Sequence, residues 1–249
     1  MKASHRATLK TPSFIFGFLF FAACMTGFAF FANHVQTWLA DEQRAPLKRI
    51  LIAGERHYID DTKIRDTIFE HHQGSFFELD VEDAHQVIED LPWVYRASLR
   101  KEWPNTLKIY VVEQKPVARW NGDLLINQYG DTFQAMLTEQ LLTLPQLFGP
   151  SGSEVTALEG YRAMQNLLSF SDLAIEELLL SERFAWDVKL SNEIRLRLGR
   201  SEFINRLQRF VDLYPILQTK SVDYVDLRYD TGLAVGWKDA HQQNTEGGV

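Results

Sequence analysis

A long apolar segment near the N-terminus stands out in the hydrophobic pattern of the chain. Residues 14–32 contain no charged side chain and a single hydroxyl group, that of Thr26. A helix needs about 20 predominantly apolar residues to cross the hydrocarbon core of a bilayer. We therefore predict one uncleaved transmembrane helix over residues 13–33.

The charges on either side of this segment predict its orientation. Lys2, Arg6 and Lys10 precede it without any acidic residue, and Asp41 and Glu42 are the first charges after it. Basic residues concentrate on the cytoplasmic side of membrane helices. The pattern predicts a short cytoplasmic N-terminus over residues 1–12 and a large remainder on the far side of the membrane.

Two alternatives for the apolar segment are a cleaved signal peptide and a lipoprotein signal. A signal peptide usually has an apolar core of about 7–15 residues that ends in small residues. Here bulky Phe28, Phe30 and Phe31 occupy the corresponding position, and residues 21–24 form only a loose lipoprotein motif ending at Cys24. The apolar run also continues past this cysteine, so both alternatives fit less well than an uncleaved helix.

After a polar linker, residues 34–46, the pattern changes from strand to helix and back within residues 47–115. The predicted elements are a strand ending at Gly54, two helices beginning near residues 60–62 and at Asp80, and strands over residues 94–100 and 107–111. This order predicts a three-stranded sheet with two helices on one face.

The second part, residues 116–238, is richer in strand patterns. Alternating apolar and charged positions predict a hairpin over residues 186–190 and 194–198, and helical spacing covers residues 155–170 and 203–213. Further strands are predicted over residues 144–150 as a sheet edge, 222–227 and 233–237. The polar tail, residues 239–249, is predicted to be flexible. The predicted fold class is α+β, with a mixed β-sheet domain and flanking helices after the first domain.

Composition and motifs narrow the possible functions. The formal net charge of −7 gives no sign of the basic patch that a nucleic-acid partner requires. The single cysteine excludes an intramolecular disulfide. No phosphate-binding loop, HExxH or GxSxG motif is present.

The remaining chemical candidates have simpler explanations. Ser151 lies in a Gly- and Pro-rich turn, and Asp60-Asp61 suits a helix cap better than an acid–base pair. His71 and His72 are neighbours on a predicted helix, where they would point about 100° apart. We predict no enzyme activity, no metal and no cofactor.

Several local motifs resemble the FtsQ/DivIB family of bacterial cell division proteins. In the first domain they are Gly54-Glu55-Arg56-His57-Tyr58, Leu91-Pro92-Trp93-Val94, Arg100-Lys101-Glu102-Trp103-Pro104 and Ala118-Arg119-Trp120 just beyond it. In the second they are residues 192–200, Leu213-Tyr214-Pro215, residues 224–230 and the end at Ala234-Val235-Gly236-Trp237. The resemblance covers nearly the whole chain.

The resemblance implies both a domain arrangement and a function. It implies a POTRA domain over residues 47–115, with the order βααββ, followed by the family's β domain over residues 116–238. It also implies a non-catalytic scaffold of the inner membrane whose C-terminal domains are periplasmic and act at the division septum.

The resemblance further implies partners and the residues that bind them. The family's β domain binds the FtsB–FtsL pair, its POTRA domain is linked to upstream division proteins such as FtsK, and the complex helps to regulate the septal synthase FtsW–FtsI. The expected FtsB-binding residues are Arg183, Tyr229, Thr231, Gly232, Leu233, Val235 and Trp237. The expected POTRA-face residues are Val81, Arg96, Leu99 and Lys101.

A physical argument supports the C-terminal strand as a docking edge, and some alternatives stay open. An edge strand presents unpaired N–H and C=O groups, to which a partner segment can add as a strand. Trp237 could be an interface anchor or a core residue. Val81 and Leu99 could be core residues, with Arg96 and Lys101 merely solvated.

Two other function classes compete with a scaffold. One is a POTRA-bearing protein-translocation or chaperone-like periplasmic factor, which usually carries several POTRA units or a following barrel. The other is a membrane-anchored hydrolase, which needs a nucleophile or metal constellation that the motifs above do not supply.

Overall fold

The computed structural model describes residues 11–41, 45–72, 74–217 and 222–238, and the chain divides into two compact units after Glu113. The predicted flexible tail, residues 239–249, and nearly all of the predicted cytoplasmic segment, residues 1–12, lie outside the described residues.

The N-terminal helix is longer than the sequence pattern predicts. Helix α1 runs over Thr11–Ala40, so the first part of the predicted linker, residues 34–40, is helical. No proline or glycine interrupts the chain between Asn33 and Ala40, which explains the extension. Within the described residues, Phe16–Leu39 is the one helical segment that is long and apolar enough to cross a membrane.

The rest of the first unit has the predicted order of strand, helix, helix, strand, strand. Its elements are β1 (Arg49–Ala53), α2 (Asp61–His71), α3 (Val81–Glu89), β2 (Val94–Glu102) and β3 (Thr106–Glu113). The sheet order is β1-β3-β2, with β3 parallel to β1 and antiparallel to β2. The carboxylates of Asp60 and Asp80 cap the two helices by accepting hydrogen bonds from the N–H groups of Thr62 and Glu82, at 3.0 and 2.9 Å.

The second unit is built on a nine-stranded mixed sheet with the strand order β12-β11-β10-β9-β8-β7-β4-β5-β6. The strands are β4 (Pro116–Trp120), β5 (Leu124–Asn127), β6 (Thr132–Phe133), β7 (Gln146–Phe148), β8 (Ile175–Leu180), β9 (Trp186–Leu190), β10 (Arg195–Gly199), β11 (Val222–Asp226) and β12 (Ala234–Trp237). The helices are α4 (Glu139–Leu142), α5 (Glu154–Leu168) and α6 (Phe203–Leu213). The predicted α+β fold class is confirmed.

Three parallel strand pairs make this sheet mixed: β4 and β7 are joined through β5, β6 and α4, and the other two pairs are joined through crossover helices. Strands β7 and β8 are parallel and are joined through α5, and strands β10 and β11 are parallel and are joined through α6. Parallel neighbours need such a crossover, because a tight hairpin can only join antiparallel strands. The two helices contact each other and bury Leu158, Met164, Leu207 and Phe210 in the core of the unit.

Strands β7 and β8 differ from the sequence prediction. The segment around residues 144–150, expected at a sheet edge, contributes β7, which lies between β8 and β4 in the interior of the sheet. Strand β8 has no counterpart in the sequence prediction, because its central glutamates, Glu176 and Glu177, obscure the alternation of the buried side chains Ile175, Leu178 and Leu180.

Candidate partner-binding surfaces

Strand β12 forms one edge of the nine-stranded sheet. In the part of the chain that the structure describes, it pairs with β11 alone, with Val225 opposite Val235 and Asp226 opposite Ala234. The side of an edge strand that points away from its neighbour presents main-chain N–H and C=O groups. A segment of another chain could therefore add to β12 as a further strand.

Strand directions place Arg183 and the β11–β12 loop at the same end of the sheet. Arg183 lies in the turn between β8 and β9, and Trp186 at the start of β9 is opposite Gly199 at the end of β10. Strand β11 runs parallel to β10, so the loop over residues 227–233 leaves it at this same end. Three strand spacings separate β9 from β12, or about 14 Å. Trp237 lies at the opposite end of β12.

The turn that carries Arg183 has a defined main-chain path. The N–H of Ser181 donates to the carbonyl oxygen of Ala185 at 2.9 Å, and the N–H of Phe184 donates to the carbonyl oxygen of Ser181 at 2.8 Å. The hydroxyl oxygen of Ser181 accepts a further hydrogen bond from the N–H of Ala185 at 3.0 Å. The turn exposes both Arg183 and the ring of Phe184, so it offers a cation beside an aromatic surface.

Arg209 on α6 holds the β11–β12 loop through three main-chain carbonyl groups. Its Nη1 donates to the carbonyl oxygens of Tyr229 and Gly232, each at 2.9 Å. Its Nη2 donates to the carbonyl oxygen of Asp230, also at 2.9 Å. These hydrogen bonds fix the loop from the side of α6, while the side chains of Tyr229 and Thr231 are exposed.

A second cation, Arg228, lies at the start of this loop. Its Nε and Nη2 donate to the carboxylate of the buried Asp226, at distances from 2.6 to 3.1 Å. These hydrogen bonds lower the pKa of Asp226 and outweigh the opposing effect of its burial. The pair keeps an ionised carboxylate at the last position of β11, opposite Ala234, and orients a guanidinium that remains largely exposed.

The apolar residues of the predicted docking edge divide between core and solvent. Leu233 and Val235 are partly buried and pack against the core of the second unit. Trp237 is 55% exposed. In the isolated chain its side chain is therefore available to a partner, while Leu233 and Val235 also support the fold.

The two glycines near this edge have different surroundings. A Cβ at Gly232 would meet no atom within 4 Å, whereas a Cβ at Gly236 would overlap the ring of Tyr224. That ring also lies under the guanidinium of Arg197, at 4.7 Å from its centroid. Gly236 is therefore required by packing inside the chain, and Gly232 is not.

The four expected POTRA-face residues do not share one surface. Val81 begins α3, and the other three lie on β2. Alternation along the strand puts Arg96 on the opposite face from Leu99 and Lys101. Leu99 packs against the core of the first unit, whereas the Arg96 side chain is exposed and its guanidinium lies 3.9 Å from the carboxylate of Glu89.

Lys101 is engaged inside the first unit. Its Nζ donates to the carbonyl oxygen of Phe77 at 2.9 Å and lies 5.5 Å from the centre of the Phe76 ring. Partial burial lowers the pKa of Lys101, against a smaller opposing effect of Asp80. Lys101 thus helps to hold the segment before α3 against the end of β2.

The residues considered for metal or acid–base chemistry have local contacts. Asp60 caps α2, as expected, and Asp61 forms an ion pair with Arg56 at 2.6 Å. The ring nitrogens of His71 and His72 lie 2.9 and 3.1 Å from main-chain carbonyl oxygens. Across residues 11–41, 45–72, 74–217 and 222–238, no group of three or more His, Cys, Asp or Glu side chains is placed to hold a metal.

Sequence reasoning missed four side chains at the end of the sheet that carries the β11–β12 loop. The spacing of Asp226 and Arg228, an acid and a base two residues apart at a strand end, was a usable signal. Phe184 was also accessible to sequence reasoning, as the neighbour of Arg183. Arg209 gives no signal, because its acceptors are main-chain carbonyls 20 to 23 residues further along the chain.

Comparisons with known proteins match both units. A family model described as cell division protein FtsQ/DivIB, C-terminal, matches residues 118–228, and one described as POTRA domain, FtsQ-type, matches residues 45–114. Cell division protein FtsQ of Shewanella oneidensis is 41% identical over 226 residues, which cover 90% of this chain and 86% of that protein. Cell division protein FtsQ of Escherichia coli is 40% identical over 232 residues, which cover 89% and 83%. The chain therefore belongs to the FtsQ family of cell division proteins.

Proposed function

We propose that this chain is a non-catalytic scaffold of the bacterial division machinery that binds the FtsB–FtsL pair at the edge of its second unit. The observation that carries the proposal is β12, a terminal edge strand flanked by an ordered loop and, across the end of the sheet, by the exposed Arg183. The names of the relatives support a role in division rather than in protein translocation.

In the proposed complex, a segment of FtsB pairs with β12 as an added strand. Main-chain hydrogen bonds supply affinity, and side chains at the two ends of the strand supply specificity. Tyr229 and Trp237 belong to the residue types that anchor interfaces. Arg183 pairs with an acidic residue of FtsB, and Thr231 and Gly232 allow the partner main chain to approach.

The proposal extends to topology and to indirect partners. Helix α1 anchors the chain in the inner membrane with its N-terminus in the cytoplasm, so both folded units lie in the periplasm at the division septum. Binding of FtsB and FtsL then connects the scaffold to the septal synthase FtsW–FtsI. The long apolar segment within α1 and the basic residues before it support this arrangement.

Truncating an anchor tests the FtsB-binding edge. Tyr229→Ala and Trp237→Ala each remove an exposed aromatic side chain, and a hot-spot anchor contributes about 2 kcal/mol or more. We expect at least about 30-fold weaker FtsB binding, measured by titration calorimetry. Arg183→Glu is expected to weaken binding as well, because the partner acid then faces a like charge.

Tyr129→Ala is the matched control for Tyr229→Ala. Tyr129 is 54% exposed and Tyr229 58% exposed, but Tyr129 follows β5, near the far edge of the same sheet. The control is expected to bind FtsB as tightly as the parent. Thermal melts by circular dichroism check that each variant is folded. The docking edge lies elsewhere if Tyr229→Ala and Trp237→Ala both retain parental affinity.

We also propose that the first unit recruits the chain through upstream division proteins such as FtsK. Among the four expected POTRA-face residues, Arg96 has an exposed charged group. Arg96→Glu is expected to reduce septal localisation of a fluorescent fusion in dividing cells, with the fold intact. Arg100→Glu is the control, because Arg100 is an exposed arginine on the same face of β2 that pairs with an acid, Glu102. If Arg96→Glu localises to the septum as well as Arg100→Glu does, this role of Arg96 is refuted.

A further inference from the structure

An aromatic cluster projects from the end of the first unit at the β2–β3 turn. Trp103 is 74% exposed, and its ring centroid lies 5.1 Å from that of Phe77 and 6.2 Å from that of Phe76. Phe76 is buried in the unit. We call Phe77 and Trp103 the aromatic tip, since Phe76 and Lys101 support them from the interior while Trp103 faces solvent.

The aromatic tip lies beside the end of the apolar helix α1. Phe77 and Glu78 line one side of a cavity of about 430 Å³ whose other side is formed by residues of the last two turns of α1, among them Thr37 and Leu39. The N–H of Phe76 donates to the carbonyl oxygen of Ala45, in the segment that follows α1, at 2.7 Å. Leu39 is also the last residue of the segment able to cross a membrane.

The contact with the end of α1 sets the depth of the aromatic tip in a bilayer. A hydrocarbon core is about 30 Å thick, and the headgroup regions bring the bilayer to about 40–45 Å. If Phe16–Leu39 crosses it, the polar residues Asn33, Gln36 and Thr37 near its end reach the headgroup region. Side chains that pack beside them lie at the same level.

The side chains of the aromatic tip are of a type that is found in the headgroup region. Tryptophan is enriched at membrane–water interfaces, where an apolar ring and a polar N–H find matching surroundings. Trp38 of α1 is likewise exposed. Exposed Lys48 and Arg49 lie at the same end of the sheet, beside Asn105 and Thr106 of the turn and β3, and can approach lipid phosphates.

We propose that the aromatic tip inserts into the headgroup region of the membrane that α1 crosses and thereby fixes the first unit against the bilayer. The occupant of this surface is thus the lipid itself. The proposal rests on the membrane pass of the proposed function. A docked membrane-proximal unit would present its recruitment face at a constant height and orientation above the bilayer.

Quenching by brominated lipid tests the proposal on the full chain. The chain is reconstituted in nanodiscs of phosphatidylethanolamine and phosphatidylglycerol whose acyl chains carry bromine, which quenches tryptophan emission on contact. Trp38→Phe removes the tryptophan of α1. We expect brominated lipid to quench the Trp38→Phe chain, and this quenching to be lost in Trp38→Phe/Trp103→Phe.

Two further variants make the result specific. Trp38→Phe/Trp237→Phe removes an exposed tryptophan of the second unit and is expected to retain the quenching. Adding Phe77→Trp to Trp38→Phe/Trp103→Phe returns an indole to the tip and is expected to restore it. Equal quenching with and without Trp103, or no quenching of the Trp38→Phe chain, overturns the proposal and would leave the tip to a protein partner or to solvent.

Failure of the membrane pass gives a different result. In that case alkaline carbonate extracts the unmodified chain from membranes, and brominated lipid does not quench its Trp38. If the unmodified chain stays in the membrane and the quenching is equal with and without Trp103, insertion of the aromatic tip is refuted but the membrane pass is not.

Discussion

Arg209 carries a prediction at the residue scale. Lysine keeps the charge but lacks the planar fork of donors, so Arg209→Lys cannot bind the three carbonyl groups in the same way. We expect the β11–β12 loop to loosen and FtsB binding to weaken about tenfold, since preorganisation of the loop is lost and tenfold corresponds to about 1.4 kcal/mol. Hydrogen exchange of residues 228–233 and titration calorimetry measure the two effects.

Arg206→Lys is the control for this prediction. Arg206 also lies on α6 and donates to a main-chain carbonyl, that of Leu198, but not to the loop. We expect this variant to leave both the exchange of the loop and FtsB affinity unchanged. If Arg209→Lys behaves in the same way, Arg209 has no positioning role.

The other side chains around β12 differ in how far the sequence predicts them. Tyr229 and Trp237 were predicted from residue type and position and Arg183 from the family resemblance, and all three are exposed. Their binding roles stay predictions. The engagement of Lys101 with Phe77 could not be predicted, because it depends on how the segment before α3 folds back onto β2.

Helices and strands with a complete hydrophobic pattern of their own could be predicted from the sequence. Strand positions that depend on pairing with distant segments could not. Helix α6 and strand β9 have the predicted bounds, because an apolar stripe or a strict alternation marks them along the sequence. The interior position of β7 follows from parallel pairing with strands that are distant in sequence. No local pattern encodes that pairing.

The two glycines near β12 carry a prediction at the element scale. Gly232→Ala adds a methyl group where the chain itself offers open space, so we expect an unchanged melting temperature and weaker FtsB binding through collision with the partner main chain. Gly236→Ala forces the ring of Tyr224 to move, so we expect a lower melting temperature. Parental FtsB affinity in Gly232→Ala would mean that the partner does not approach this point of the edge.

At the scale of the whole molecule, the order of elements was predictable but the arrangement of the sheet was not. The apolar segment, the βααββ order and the strand-rich second part follow from periodicity and charge. The strand order of the nine-stranded sheet depends on three connections between parallel strands, one through β5, β6 and α4, one through α5 and one through α6. The sequence does not distinguish these from other connections. Because of this strand order, β12 lies at an edge of the sheet, and Arg183 lies at the same end of the sheet as the β11–β12 loop.

The membrane pass is the last prediction, and it concerns the whole chain. An uncleaved helix keeps the native N-terminus, so intact-mass spectrometry of the membrane-extracted protein is expected to show a chain beginning at Met1 or Lys2. A chain beginning near Asn33 would mean that the apolar segment is a cleaved signal. For orientation, a Cys24→Ala background carries either Ser151→Cys, an exposed position in the turn after β7 and remote from β12, or Ser4→Cys. We expect a membrane-impermeant maleimide to label Ser151→Cys in intact spheroplasts and Ser4→Cys only after lysis, because basic residues concentrate on the cytoplasmic side of membrane helices.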